Sequence, residues 1–280
     1  MKKHKLNFCH LQIIYQQQHR IVITTFNLLS LYYASQLYAQ RTVTIDELAQ
    51  NIAQLKHIFE ELGAHVCTNM NAIKAEIIET VEIHSNIVHF EQGQLQFSHV
   101  AATQVAQEVD AKRLKAHALS PHTMALAVPT LALQLYINPC LFWLARPAFL
   151  IMAALQQQKI QEETASSDYA RVVSALFKRV AIMEDIFKQE FIMESNRNEA
   201  EFQHNLLFLE VHGILRICKQ SGHIQMLQNE CSRVVLSALA PFLCLYYQLA
   251  VVLNQVGSCF EYFQDTANIR KLLKAYYHKS

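Results

Sequence analysis

Glycine and proline are scarce, five of each in 280 residues, where roughly 7% and 5% are usual. So few chain breakers exclude a collagen-like chain, a glycine-rich linker and a sandwich of many tight turns. Charge is scarce too. Only 17% of residues are charged, and 24 Lys plus Arg against 23 Asp plus Glu leave a net charge of +1. That balance supplies no single-sign field to hold a nucleic-acid backbone or steer a charged partner. A disulfide framework is also missing. The seven cysteines (Cys9, Cys67, Cys140, Cys218, Cys231, Cys244 and Cys259) are odd in number, and no two have C-x-x-C spacing. They read as reduced thiols facing a cytosolic compartment, mostly small buried hydrophobes. Apolar residues are abundant, at 52%. This excludes a disordered chain and, with so few breakers, points to a mainly α, multi-helical fold.

Local signals place the helices. Thr44 and Glu47 form a capping box, which satisfies two orphan amides at a helix start. Ile45, Leu48, Ile52, Leu55, Phe59 and Leu62 follow at three- and four-residue steps, and Gly63 stands where a left-handed cap belongs. A second helix is expected over 69–84, with Ile73, Ile77 and Val81 on one face. Residues 86–90 and 94–99 flank Gly93 and read as a β-hairpin. A polar segment, 101–120, is a surface helix or a connector. Pro129, Pro139 and Pro147 divide the apolar stretch 122–158 and predict short helices with bends. Asp168 can cap a helix carrying Val172, Leu176, Val180, Met183 and Phe187, and a further helix runs from Arg197 to His212, stopped by Gly213. Residues 214–218 and 223–227 form a second hairpin signal around Gly222. Helices over 229–254 and 258–277 complete the chain. The order helix, helix, hairpin occurs twice, at 44–99 and 169–227. Three regions result: an apolar helical segment at 1–41, a helix–helix–hairpin region with its connector at 42–120, and a helical region with the second hairpin at 121–280, the last as one compact unit.

Three stretches raise the question of a membrane. Residues 21–40 and 234–254 carry no charge, and 124–155 is apolar but broken by prolines. The first two barely reach the roughly 20 apolar residues that a spanning helix needs. All three are expected to be buried core helices, with membrane embedding or spanning as the alternative. Arg146 lies in the most apolar neighbourhood of any charge. Pro147 biases it toward a helix end, where its head would reach water. The basic start (Lys2, Lys3 and Lys5) precedes a broken segment and makes a poor secretory signal. The last residues do not form a Ser-Lys-Leu type peroxisomal address.

Chemistry-bearing motifs are missing throughout. Glycines at 63, 93, 213, 222 and 257 build no G-x-S-x-G, G-x-G-x-x-G or phosphate-binding loop. None of the fourteen histidines has another three or four residues away, so no pair shares a helical face as zinc ligands do. Helix, helix, hairpin is also the order of a DNA-binding winged helix, but the wing at 88–99 has no Lys or Arg, which speaks against nucleic acid. No catalytic, cofactor-binding or metal-binding residue can be named, and no cofactor is expected.

Some residue runs nevertheless resemble a family. Leu133 to Leu150 has Tyr136, Asn138 and then an apolar helix. It resembles the stretch after the catalytic domain of the glycerol-3-phosphate and dihydroxyacetone-phosphate acyltransferases. Phe187, Lys188, Glu190, Phe191 and Ile192 are similar to a further run of that family. So, in order, are Glu201 and Phe202, Leu206 and Leu207, Gly213 and Ile214, and the segment Leu239 to Leu243 with Tyr246 after it. Upstream, 48–63 and 83–88 look like its corresponding segments. The resemblance covers about 40–255. It implies glycerophospholipid or ether-lipid biosynthesis, and a cytosol-facing place at a peroxisomal, mitochondrial or endoplasmic-reticulum membrane. It also implies, as partner, a family member or an acyltransferase catalytic domain, and contact with a membrane surface.

The family's chemistry lies in an N-terminal domain whose His-x4-Asp motif supplies the base, a His deprotonating the acceptor hydroxyl while Asp orients it. The aspartates here are Asp46, Asp110, Asp168, Asp185 and Asp265, and five positions before them stand Arg41, Val105, Glu163, Val180 and Phe260. The family's phosphate-holding block is missing as well. The resemblance therefore implies the C-terminal helical region without its catalytic half: a fragment, a truncated isoform or a paralogue without that half. A stand-alone helical scaffold or an integral membrane protein are the alternatives.

Overall fold

The computed structural model describes residues 13–39, 41–98, 121–163, 168–188, 190–191, 199–227 and 229–256. The connector at 101–120 and the helix expected at 258–277 lie outside them. The chain forms two compact units, Met1–Ala238 and Leu239–Ser280. The described residues are 72% helical, with short strands in two-stranded sheets.

In the first unit, strand β1 (Val22–Thr24) leads straight into helix α1 (Thr25–Tyr38). Thr24 and Asn27 form a capping box there, and the Asn27 amide donates to the Tyr136 carbonyl at 2.8 Å. Phe26, Leu28, Leu29 and Leu31 are buried, and so are Ser30, Ser35 and Gln36. Residues 25–38 thus form a core helix, as expected for this uncharged stretch.

Helix α2 (Ile45–Glu61) starts at the expected box, with Thr44 and Glu47 capping each other, and buries Leu48, Ile52, Leu55, Ile58 and Phe59. It ends at Gly63, whose φ of +92° puts it in the left-handed region, and the Ala64 amide closes back on the Phe59 carbonyl at 2.8 Å. Strand β2 (His65–Cys67) then pairs in parallel with β1, Val22 opposite His65. Sequence pattern could not show this pairing. Three residues are too few to display alternation, and the partners lie 43 positions apart across two helices.

A single 3-10 turn precedes α3 (Ile73–Ile83), shorter than the helix expected over 69–84. Strands β3 (Val88–Glu91) and β4 (Gln94–Phe97) form the expected hairpin. Gln92 and Gly93 both have positive φ, 51° and 77°, which matches the twist of a two-residue hairpin turn. β4 also receives the chain at Val43, whose carbonyl accepts from the Leu95 amide at 2.8 Å.

The proline-marked stretch departs from expectation. Instead of short bent helices it forms one helix, α4 (Pro121–Glu163), with Pro129, Pro139 and Pro147 inside it. Each internal proline removes a backbone hydrogen bond and costs about 3 kcal/mol or more in an isolated helix. Packing offsets that loss. Leu133, Ile137, Cys140, Leu144, Ala148, Phe149, Leu150 and Ile151 are all at most 2% exposed, enclosed by α1 and by helix α5 (Tyr169–Ile186). Burial of a large aliphatic or aromatic side chain contributes about 1.5–3 kcal/mol, and here it recurs at nearly every turn.

Asp168 stands at the N-cap of α5 in extended backbone, but its carboxylate makes no capping bond. Helix α6 (Glu199–Val211) ends at Gly213, at φ +61°, and leads to β5 (Leu215–Ile217) and β6 (Ile224–Met226), the second expected hairpin. Gln161 of α4 grips that hairpin twice. Its amide nitrogen donates to the Gly222 carbonyl at 2.8 Å, and its oxygen accepts from the Ile224 amide at 3.0 Å. The last described element, α7 (Glu230–Val256), begins in the first unit, with Val234, Val235 and Ala238 buried. From Leu239 on it belongs to the second.

Candidate functional site

The titratable groups gather where three helices of the first unit meet. Arg146 comes from the middle of α4, Glu184 from the last turn of α5 and Glu201 from the first turn of α6. The Arg146 Nε donates to Glu184 Oε1 at 2.9 Å, and its Nη1 donates to Glu201 Oε1. The Arg146 side chain is only 16% exposed. This overturns the expectation of a helix-end arginine with its head in water. Pro147 does not begin a new helix, so position 146 stays inside α4, and its guanidinium must find carboxylates.

A cavity of about 30 Å³ adjoins the cluster, lined by Leu150, Phe177, Val180 and Phe202 as well as by the three charged residues and Asn205. That is room for about two water molecules, whereas small-molecule sites take roughly 300–1,000 Å³. The arrangement brings one guanidinium to two carboxylates. Its geometry ties α4, α5 and α6 together.

A second cluster sits where α2 ends. The Glu61 carboxylate lies between two imidazoles, with Oε1 3.2 Å from His57 Nε2 and Oε2 2.5 Å from His212 Nε2. The His212 ring rests 4.6 Å from that of Phe208. Among the described residues, no group of three or more His, Cys, Asp or Glu is placed to hold a metal ion. Sequence reasoning named no site residue and missed both carboxylate partners of Arg146. They lie 38 and 55 positions away, and no local spacing links them.

Several isolated groups have shifted acidities. His84 stacks on Phe26 with ring centres 3.8 Å apart and meets Tyr136 edge-on at 4.8 Å. Burial against these rings lowers its pKa below the ordinary histidine value. Below about pH 6.5, the usual value for histidine, the unfolded chain therefore takes up this proton more readily than the folded one. The stability linked to His84 is fully present above that pH and is lost as pH falls toward the folded value. We expect His84→Phe, which keeps the stack, to gain stability relative to wild type between pH 8 and pH 5. Paired urea melts check this, and a pH-independent difference would refute it.

Cys218 is exposed, and hydrogen bonds lower its pKa, first from the Ser221 side chain and then from the backbone amides of Ser221 and Gln220. Burial instead pushes the Cys140 thiol up, and that of Cys231 to about 12. Thiolate is the reactive form. With limiting iodoacetamide at neutral pH, peptide mapping should find Cys218 modified ahead of every other cysteine between 13 and 256, with Cys140 and Cys231 the slowest.

The stretch Leu133 to Leu150 with its tyrosine and asparagine, and the run from Phe187 to Ile192, are among the residue runs that resembled one family. The sequence profile of the glycerol-3-phosphate acyltransferase C-terminal region matches residues 10–277, nearly the whole chain. A comparison with curated proteins found no match. The chain belongs to the family defined by the C-terminal region of the glycerol-3-phosphate acyltransferases.

Proposed function

We propose that this chain serves glycerolipid synthesis as a non-catalytic helical region, packing on an acyltransferase catalytic domain and helping to seat it on the cytosolic face of a membrane. One observation carries the reading: the family match extends over 10–277, yet none of the five aspartates has a histidine five positions before it. Acyl transfer to a glycerol phosphate needs a positioned base, because the acceptor hydroxyl is only weakly acidic. The Arg146 cluster and its small cavity supply neither that base nor space for an acyl-CoA. What the helices do supply is a rigid body, tied together across α4, α5 and α6.

The test is an assay of the purified chain with acyl-CoA and either glycerol 3-phosphate or dihydroxyacetone phosphate. We expect turnover no higher than a protein-free blank. Heat-labile acyl transfer to either acceptor would overturn the non-catalytic reading and leave the family membership untouched.

A further inference from the structure

Among the described residues, two helices are long and apolar enough to cross a membrane by length and composition: the α4 stretch Ala127–Glu162 and the α7 stretch Glu230–Val251. Hydropathy treats them alike, but their surroundings differ. The apolar window of α4 is 72% buried inside the protein, and that of α7 only 28%. α4 also holds Arg146, neutralised by carboxylates from two neighbouring helices. Most of its apolar surface is already enclosed by protein.

The later part of α7 is not. Cys244, Leu245, Tyr247, Gln248 and Ala250 are exposed, Leu245 at 59% and Tyr247 at 71%. With about 3.6 residues per turn, these positions cover the greater part of the helix circumference, and Phe242, Tyr246 and Leu249 stand half-buried on the remaining side. No charged residue occurs between 234 and 254. A helix that docks in a protein groove buries one stripe and keeps a polar face in water. A helix that is apolar on nearly every side suits a protein core or hydrocarbon.

We infer that α7 beyond Leu239 embeds in a lipid bilayer, and that α4 stays a core helix out of contact with lipid. This rests on the reading that the chain works at a membrane, and it names the segment responsible.

The experiment uses the full chain and phosphatidylcholine vesicles in a flotation gradient. Wild type should float. Leu245→Arg should lower the bound fraction at least tenfold, because a charge at an embedded position is expelled from hydrocarbon. Leu131→Arg, at an exposed position of α4, should float like wild type. Circular dichroism confirms that each variant is folded, and Leu245→Lys substitutes for any variant that is not. A Tyr247→Trp variant reports insertion directly: vesicles should shield its fluorescence from iodide, while the buried Trp143 gives a constant background. If wild type floats but Leu245→Arg floats equally, or Leu131→Arg is the variant released, the assignment to α7 is overturned and membrane association stands. Unchanged iodide quenching of Tyr247→Trp on bound vesicles overturns it as well. If wild type itself fails to float, the membrane reading falls and the assignment with it.

Discussion

Replacing Arg146 by leucine is expected to lower the stability of the chain by about 3–5 kcal/mol, the usual cost of removing one partner from a buried ion cluster. Two carboxylates, Glu184 and Glu201, would be left facing each other beside a cavity too small for more than about two waters. The loss comes from the abandoned charges more than from the missing bonds. The combined variant Arg146→Met, Glu184→Leu, Glu201→Leu should therefore recover most of the stability, since buried ion clusters replaced by apolar groups of similar volume are often neutral or better. Urea denaturation of the three proteins decides the matter. A loss below about 1 kcal/mol for Arg146→Leu, the range of ordinary surface substitutions, would mean that the cluster is solvated and carries no structural load.

Phe149→Ala should be as severe, for a different reason. Phe149 is fully buried in α4, stacked on Phe187 with ring centres 5.3 Å apart and meeting Phe191 at 6.0 Å. Truncation removes the transfer energy of the ring and leaves a cavity that rigid neighbours on three sides cannot fill. The expected loss is about 3–5 kcal/mol. Calorimetry should show it as a drop of about 2–4 °C in Tm for each kcal/mol in a chain of this size. Leu131→Ala, exposed on the same helix, should stay within about 0.5 kcal/mol of wild type. An equal effect at both positions would contradict the burial pattern of α4.

The two clusters show where sequence reasoning stops. Thr44 with Glu47, Gly63 and Gly93 act through neighbours within five residues, so their roles could be read directly. The capping box, the left-handed cap and the hairpin turn all stand where the pattern placed them. Family resemblance could be read too, because it depends on the order of residue runs along the chain. Arg146 marks the other side. Its surroundings in sequence, with Pro147 beside it, favour a helix end, and local steric preference was the only warrant available. Folding set against that preference the enclosure of α4 by α1 and α5, and enclosure prevailed. Once the helix continued through Pro147, the arginine pointed inward and needed partners that only α5 and α6 could bring.

By itself the sequence determined the helical class, the capping box of α2, the glycine ends of α2 and α6, both hairpins, the absence of a His-x4-Asp pair and the family. Each of these depends on local spacing or on residue identity. Only the tertiary structure decided that three prolines lie within one helix, that β1 and β2 pair in parallel, and which acids neutralise Arg146. It also separated α4, whose apolar surface is enclosed, from α7, whose apolar surface is open. Burial is a property of what packs around a segment. Two stretches of similar composition can therefore differ in it completely, and no pattern within either stretch records the difference.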